Sequence, residues 1–213
     1  MKVRKVVTRS GQGFRGYFPS RKLNRLVEFE SILERDAILL FEFSNGIKSY
    51  QEQPELIIYE QDGEMRRYFP DFSIILNNDK NIHYEVKPLS KFKSTDLVKK
   101  YESVKWHYER LGRDFRILID QEILKEPRHT NLMLLSRVQH YQGDLSEVGL
   151  KAILLLKTDS VFTVKSLSDI VGRTIVLVLI AHGDIFCDLN IDLDSEANFL
   201  RLPEENDHDA LYV

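Results

Sequence analysis

Closely spaced strand-like runs constrain the fold of this chain more than any other sequence feature. Short segments rich in Asn, Asp and Gly, at residues 61–63 and 77–79, separate these runs in the manner of hairpin turns. The predicted strands are Ser49–Tyr59, which Pro54 interrupts, Met65–Leu76 and Ile82–Val86. Strands joined by such short turns pair in antiparallel fashion, so the pattern predicts a sheet built from hairpins.

Helical patterns flank these strands. Apolar residues recur at helical spacing over Leu26–Phe43. A second helix begins at Ser94 or Thr95 and ends at Leu111, with Gly112 as its stop and Trp106 as a core residue. The strand at Phe115–Ile119 then needs a helical crossover to join the sheet. The order predicts an α/β fold with a mixed sheet flanked by helices.

The pattern changes near residue 126, which predicts one domain over residues 1–125 and another over 126–213. Helices are predicted at Asn131–Gln139, Leu145–Leu156, Thr163–Val171 and Thr174–His182, before a hairpin of Asp184–Leu189 with Asn198–Leu202. This order is typical of a small winged-helix-like domain. The last of the four helices is apolar at its centre and lacks the polar side chains that read base edges. A partner-binding role is therefore favoured over sequence-specific DNA binding.

Charge is distributed unevenly along the chain. The net charge is −3, yet the first 25 residues contain eight lysines and arginines and no acid. Such a segment is typical of an arm that neutralises phosphates on nucleic acid, although a solvated leader has the same composition.

The remaining composition indicates a protein of the reducing cytoplasm. Cys187 is the only cysteine, which excludes an internal disulfide and a multi-cysteine zinc site. The longest apolar run, Ile175–Ala181, is too short to cross a membrane, and the N-terminus lacks the apolar core of a secretory signal. We therefore expect no membrane partner.

Acidic residues interrupt two of the apolar strands. Asp71 follows Pro70 in the second strand, and Glu85 and Lys87 share one face of the third because strand residues alternate. Two carboxylates at one sheet edge, with the Val86 carbonyl, form a hard-oxygen site for Mg²⁺ or for Mn²⁺ as a substitute. The Lys87 side chain beside such a metal can position or help to deprotonate a water and stabilise charge on a phosphate. These groups suffice to hydrolyse a phosphodiester.

A further acid is expected from the first helix. Glu30, Glu34 and Asp36 all lie near the margins of its apolar face, and periodicity does not choose among them. His83 shares the strand face of Glu85 and is interpreted as a polar strand residue.

Five short motifs occur in an order that resembles the TnsA endonuclease family, whose members are subunits of heteromeric bacterial cut-and-paste transposases. The resemblance covers about residues 1 to 125. Its motifs are Phe18-Pro19-Ser20, Phe29-Glu30-Ser31-Ile32-Leu33-Glu34-Arg35-Asp36, Glu52-Gln53-Pro54, Tyr68-Phe69-Pro70-Asp71-Phe72 and Glu85-Val86-Lys87-Pro88.

The resemblance implies a restriction-endonuclease-like core with a Mg²⁺ site. It assigns Glu34, Asp71, Glu85 and Lys87 as catalytic residues. The expected metal ligands are Glu34, Asp71 and Glu85, together with the Val86 carbonyl inferred above. Some family members have Gln at the position of Glu85, and the carboxylate is expected to bind metal at least as well. The implied activity is cleavage of double-stranded DNA at the 5′ ends of a transposon. The implied partners are a DDE-type transposase and an AAA+ regulator that contacts the C-terminal region.

Two other functions remain open. A free-standing restriction-like nuclease would act without a partner. A catalytically silent DNA-binding or assembly factor would keep the core but not the activity, and the presence of Asp71, Glu85 and Lys87 counts against it.

Overall fold

A four-stranded mixed sheet organises the first part of the chain. The computed structural model describes residues 14–158 and 160–212, and the first four basic residues of the arm therefore lie outside the described residues. The elements up to Ile123 are β1 (Gly16–Ser20), β2 (Arg25–Phe29), α1 (Ile32–Phe43), β3 (Ile47–Glu52), β4 (Ile57–Gln61), β5 (Glu64–Tyr68), β6 (Phe72–Leu76), β7 (Asn81–Lys87), a 3₁₀ turn (Leu89–Lys93), α2 (Thr95–Arg110), β8 (Asp114–Ile119) and α3 (Asp120–Ile123).

The sheet has the strand order β3-β6-β7-β8. The first two pairs are antiparallel, and β7 pairs with β8 in parallel through the α2 crossover. This arrangement confirms the predicted α/β fold with a mixed sheet, consistent with a restriction-endonuclease-like core.

The two long helices pack on opposite faces of the sheet. Phe41 of α1 stacks against Phe72 and Tyr84, with ring centroids 5.3 and 5.9 Å apart. On the other face, Tyr101 and Tyr108 of α2 pack against buried residues of the β4–β5 hairpin in a separate hydrophobic cluster. Since strand residues alternate, Tyr84 faces α1 whereas Glu85 faces α2.

The prediction that the first helix begins at Leu26 was wrong. Residues 16–29 form the β1–β2 hairpin, in which Val27 and Phe29 are buried and Leu26 is exposed. Helix α1 begins only at Ile32, where the Ser31 hydroxyl accepts a hydrogen bond from the backbone N–H of Glu34. The predicted helix extended too far because Leu26, Phe29 and Leu33 also recur at helical spacing, whereas burial along β2 alternates as in a strand.

Two of the predicted strands are each divided in two. Pro54 lies between β3 and β4, and Pro70 and Asp71 lie between β5 and β6. Strands β4 and β5 form their own hairpin, with positive φ at Asp62 and Gly63, as its two-residue turn requires. The second break places Asp71 just ahead of β6.

Trp106 was wrongly expected in the core. It lies on the outer side of α2, half-exposed, with the Arg110 guanidinium stacked 4.6 Å from its ring centroid.

The described chain divides into two compact units, and the second comprises Lys125–His208. Asp209 and the residues after it belong to the first unit. The elements of the second unit are α4 (Arg128–Val138), α5 (Ser146–Leu156), β9 (Phe162–Thr163), α6 (Val164–Val171), α7 (Arg173–His182) and β10 (Phe199–Leu200); a 3₁₀ turn follows at Glu205–Asp209.

The predicted C-terminal hairpin is reduced to a single bridge, and its second segment also pairs with another strand. β10 pairs with β9, ahead of α6, and Phe186 and Arg201 form the bridge that joins the two predicted segments. The centre of α7, from Val176 to Ile180, is buried in its own unit. The winged-helix interpretation stays a prediction. None of the described helices combines the length and the apolar character needed to cross a bilayer.

Candidate active site

The predicted acids meet where β6 begins and β7 ends. Phe72 pairs with Tyr84 in the antiparallel ladder, so Asp71 lies beside the last residues of β7. The Asp71 backbone carbonyl accepts a hydrogen bond from the N–H of Gln53, 2.9 Å away, which fixes the break between the strands. The antiparallel register of β6 and β7 therefore brings Asp71 next to Glu85 and Lys87.

Asp71 is held through one carboxylate oxygen. Its Oδ2 accepts hydrogen bonds from the Val86 backbone N–H at 2.8 Å and from Lys87 Nζ at 3.4 Å. Burial raises the pKa of Asp71 well above its usual value, and the nearby carboxylate of Glu85 raises it further, while the Lys87 ammonium opposes both. A nearby cation would stabilise the ionised form of such a buried carboxyl group.

Lys87 links the two acids. Its Nζ lies 2.8 Å from Glu85 Oε1 and 3.4 Å from Asp71 Oδ2. Burial alone lowers the pKa of Lys87, but the charges of Asp71 and Glu85 outweigh it and hold the pKa above its usual value. The side chain is thus an ammonium held between two carboxylates.

Glu85 receives hydrogen bonds on both oxygens from two tyrosines that sequence reasoning missed. Tyr68 donates to Oε2 and Tyr101 donates to Oε1, each at 2.5 Å. Burial raises the pKa of both phenols, and Glu85 raises it further. Tyr68 belongs to the motif that contains Asp71, whereas Tyr101 gives no signal beyond its helical spacing with buried Val104 and Tyr108.

Glu34 lies at the N-terminus of α1, on the helix opposite to α2. Its carboxylate accepts hydrogen bonds from the Glu30 N–H at 2.7 Å and from the Ser31 hydroxyl at 3.1 Å. Burial raises the pKa of Glu34, whereas its hydrogen bonds with Glu30 and Ser31 and the charge of Lys87 lower it. Its role as a third metal ligand stays a prediction.

The other two candidate acids of this region are engaged elsewhere. Asp36 is buried and pairs with Arg35, with Arg35 Nη2 2.6 Å from Asp36 Oδ1. Glu30 lies 3.5 Å from the Arg15 guanidinium.

The Val86 carbonyl faces the same side as its N–H, because both groups of a strand residue point to one edge. That N–H donates to the Asp71 carboxylate, so the Val86 carbonyl also points toward the place where β6 begins. The register of Phe72 with Tyr84 puts Pro70 opposite Val86, and proline has no N–H to donate. The Val86 carbonyl as a metal ligand stays a prediction.

The donor chemistry of this cluster fits a divalent cation. Asp71, Glu85 and the Val86 carbonyl are all hard oxygen donors of the kind that Mg²⁺ prefers. Within residues 14–158 and 160–212, no group of three or more His, Cys, Asp or Glu side chains is already arranged to hold a metal ion.

His83 shares the strand face of Glu85, as predicted, but is engaged in packing. It is buried, and its Nδ1 lies 2.6 Å from the Tyr108 hydroxyl. Burial and the nearby Arg113 lower its pKa to about 4, so the imidazole is neutral at pH 7.

Several cations of the basic arm contact the protein itself. Lys22 Nζ donates to the backbone carbonyls of Phe41, Ser44 and Ile47 at 2.6 to 2.8 Å. Arg25 forms a two-pronged pair with buried Glu52, with distances of 2.9 and 2.7 Å. These side chains stabilise the first unit, and the phosphate-binding prediction now rests on the rest of the arm.

Comparison with protein families gives one match in this region. Residues 44–120 match the family described as TnsA-like endonuclease N terminal. No curated protein matches the chain. The matched residues include Asp71, Glu85 and Lys87, and Glu34 precedes them. The match confirms the resemblance drawn from the motifs: the residues that carry Asp71, Glu85 and Lys87 are similar to the TnsA-like endonuclease N-terminal domain.

Proposed function

We propose that this chain is the Mg²⁺-dependent DNA endonuclease subunit of a transposase, which cleaves at the 5′ ends of the element during cut-and-paste transposition. The observation that carries the proposal is the meeting of Asp71, Glu85 and Lys87 at one sheet edge of a TnsA-like endonuclease domain.

The side chains divide the work of phosphodiester hydrolysis. Asp71, Glu85 and the Val86 carbonyl would hold the metal, and Glu34 is the proposed further ligand. A bound Mg²⁺ polarises the phosphoryl oxygen and lowers the pKa of a bound water. The Lys87 ammonium, fixed between the two acids, positions the attacking water and stabilises the negative charge that grows on the phosphate.

Exposed cations next to the site support a DNA substrate. Lys91 and Lys93 lie in the 3₁₀ turn that follows β7, and both are exposed. Side chains at this place can contact phosphates on either side of the scissile bond.

The proposed partners follow from the family resemblance. They are transposon-end DNA, a DDE-type transposase that acts on the 3′ ends, and an AAA+ regulator that contacts the second unit. The proposed location is the bacterial cytoplasm.

The test is cleavage of labelled end DNA by the reconstituted transposase mixture, with and without Mg²⁺. The Asp71→Asn variant removes one charge at the site, and Asp79→Asn removes one from an exposed surface pair with Lys48. We expect Asp71→Asn to slow 5′-end cleavage by at least about a hundredfold, because the metal that would stabilise charge on the reacting phosphate loses an anionic ligand. Asp79→Asn should cleave at the wild-type rate, and both should fold.

Cleavage of the 5′ ends by Asp71→Asn at the wild-type rate would contradict the site assignment. Cleavage by the chain alone would identify a free-standing nuclease. A folded wild-type chain that assembles with its partners but leaves the 5′ ends intact would identify an assembly factor.

A further inference from the structure

The carboxylate of Glu85 is enclosed by three donors. Tyr68 and Tyr101 each donate one hydrogen bond, and Lys87 Nζ lies 2.8 Å from Oε1. The side chain is almost completely buried, at 2% exposure. Its orientation is therefore set by named partners and not by solvent.

The three donors are shared unequally between the two oxygens. A carboxylate oxygen has about two lone-pair positions. Oε1 accepts from both Tyr101 and Lys87 and is saturated by them, whereas Oε2 accepts from Tyr68. Oε2 thus keeps one position for a further partner.

The two tyrosines are themselves fixed. Tyr68 ends β5 and packs edge-on against Phe115, with ring centroids 6.0 Å apart. Tyr101 is buried on α2, and the Lys100 ammonium lies 5.0 and 4.8 Å from the centroids of the Tyr68 and Tyr101 rings. Both hydroxyls are held in place before any ligand arrives.

The geometry points to a positioning role for Tyr68 and Tyr101, which hold the Glu85 carboxylate so that Oε2 faces the metal. This inference rests on the proposed function and deepens it. Without one hydroxyl, the carboxylate is free to turn toward Lys87 and form a two-pronged ion pair. That pair would use the oxygen that the metal needs, because an ammonium carries three donors.

Calorimetric titration of the full chain with Mn²⁺ tests this role. Tyr101→Phe and Tyr68→Phe each remove one hydroxyl from Glu85. Tyr108→Phe is the matched control, because Tyr108 lies two turns further along the same face of α2 and bonds His83 instead. We expect a 10- to 100-fold weaker Mn²⁺ affinity in the first two variants, which is the usual effect of removing a partner of a metal ligand. Tyr108→Phe should bind like the wild type.

Thermal melts of the same samples separate positioning from general destabilisation, since all three variants lose one buried hydroxyl. Unchanged or tighter Mn²⁺ binding in either folded Tyr68→Phe or folded Tyr101→Phe would overturn the inference for that residue. If Tyr108→Phe weakens Mn²⁺ affinity to the same extent, the effect is not specific to Tyr68 and Tyr101 and the inference is overturned. If the wild-type chain binds no Mn²⁺ even with DNA present, the proposed metal site is overturned together with this inference. If the wild type binds Mn²⁺ and Asp71→Asn abolishes that binding, the proposed function stands whatever the tyrosine variants do.

Discussion

At the scale of single residues, burial of charge decides what the basic arm does. Lys22 is drawn into the protein by three backbone carbonyls at the end of α1 and the start of β3. Burial lowers the pKa of Lys22 to about 8, with Glu42 opposing the shift, so the side chain is still mainly an ammonium at neutral pH. The sequence predicts that Lys22 contacts phosphate, but in the structure Lys22 supplies hydrogen bonds to backbone carbonyls of the protein itself.

Lys22→Met should destabilise the first unit by about 2 to 4 kcal/mol, because it leaves several buried carbonyls without a donor. Lys48→Met is the matched control: Lys48 forms an exposed pair with Asp79, and its loss should cost less than about 1 kcal/mol. Urea unfolding of both variants measures the difference. Equal stability of the two would contradict the structural role of Lys22.

At the scale of elements, the start of α1 matters to the site because it carries Glu34. The helix begins with reciprocal contacts in which the Ser31 hydroxyl accepts from the Glu34 N–H and donates to the Glu34 carboxylate. The same carboxylate accepts from the Glu30 N–H, so the cap fixes both the helix and the acid.

Ser31→Ala should lower the free energy of unfolding by about 1 kcal/mol, the usual cost of losing an N-cap hydroxyl. Ser103→Ala provides the comparison, because Ser103 lies inside α2 and bonds only the Lys99 carbonyl one turn back. That change should be neutral or slightly stabilising, since alanine is the better helix former. Denaturant unfolding of the two variants tests the cap, and a neutral Ser31→Ala would contradict it.

At the scale of the whole molecule, the chain returns to its first unit after the second. The Gly46 N–H donates to the Ala210 carbonyl at 2.9 Å, and the Tyr212 N–H donates to the Ser44 hydroxyl at 2.9 Å. The residues of the second unit are therefore bracketed in sequence by residues of the first unit.

Sequence patterns predicted the mixed sheet and its helical crossover, because turn residues separate the strands. They did not predict that two of those strands are each divided and that β4 and β5 form a hairpin apart from the sheet. They failed at β2, because the spacing of Leu26, Phe29 and Leu33 fits a helical stripe although the first two of these residues lie in a strand. They could not find the role of Tyr101, because its helical spacing equals that of Tyr108, and only the fold decides that one hydroxyl meets Glu85 and the other His83.

The most direct test of the central claim is anomalous diffraction from crystals of the chain grown with Mn²⁺ and end DNA. The account predicts a peak about 2.1 to 2.3 Å from the Asp71 carboxylate and from Glu85 Oε2, the distance expected for a small divalent cation on oxygen ligands. Crystals that contain cleaved DNA and show their peak away from Asp71 and Glu85, or show none, would contradict it.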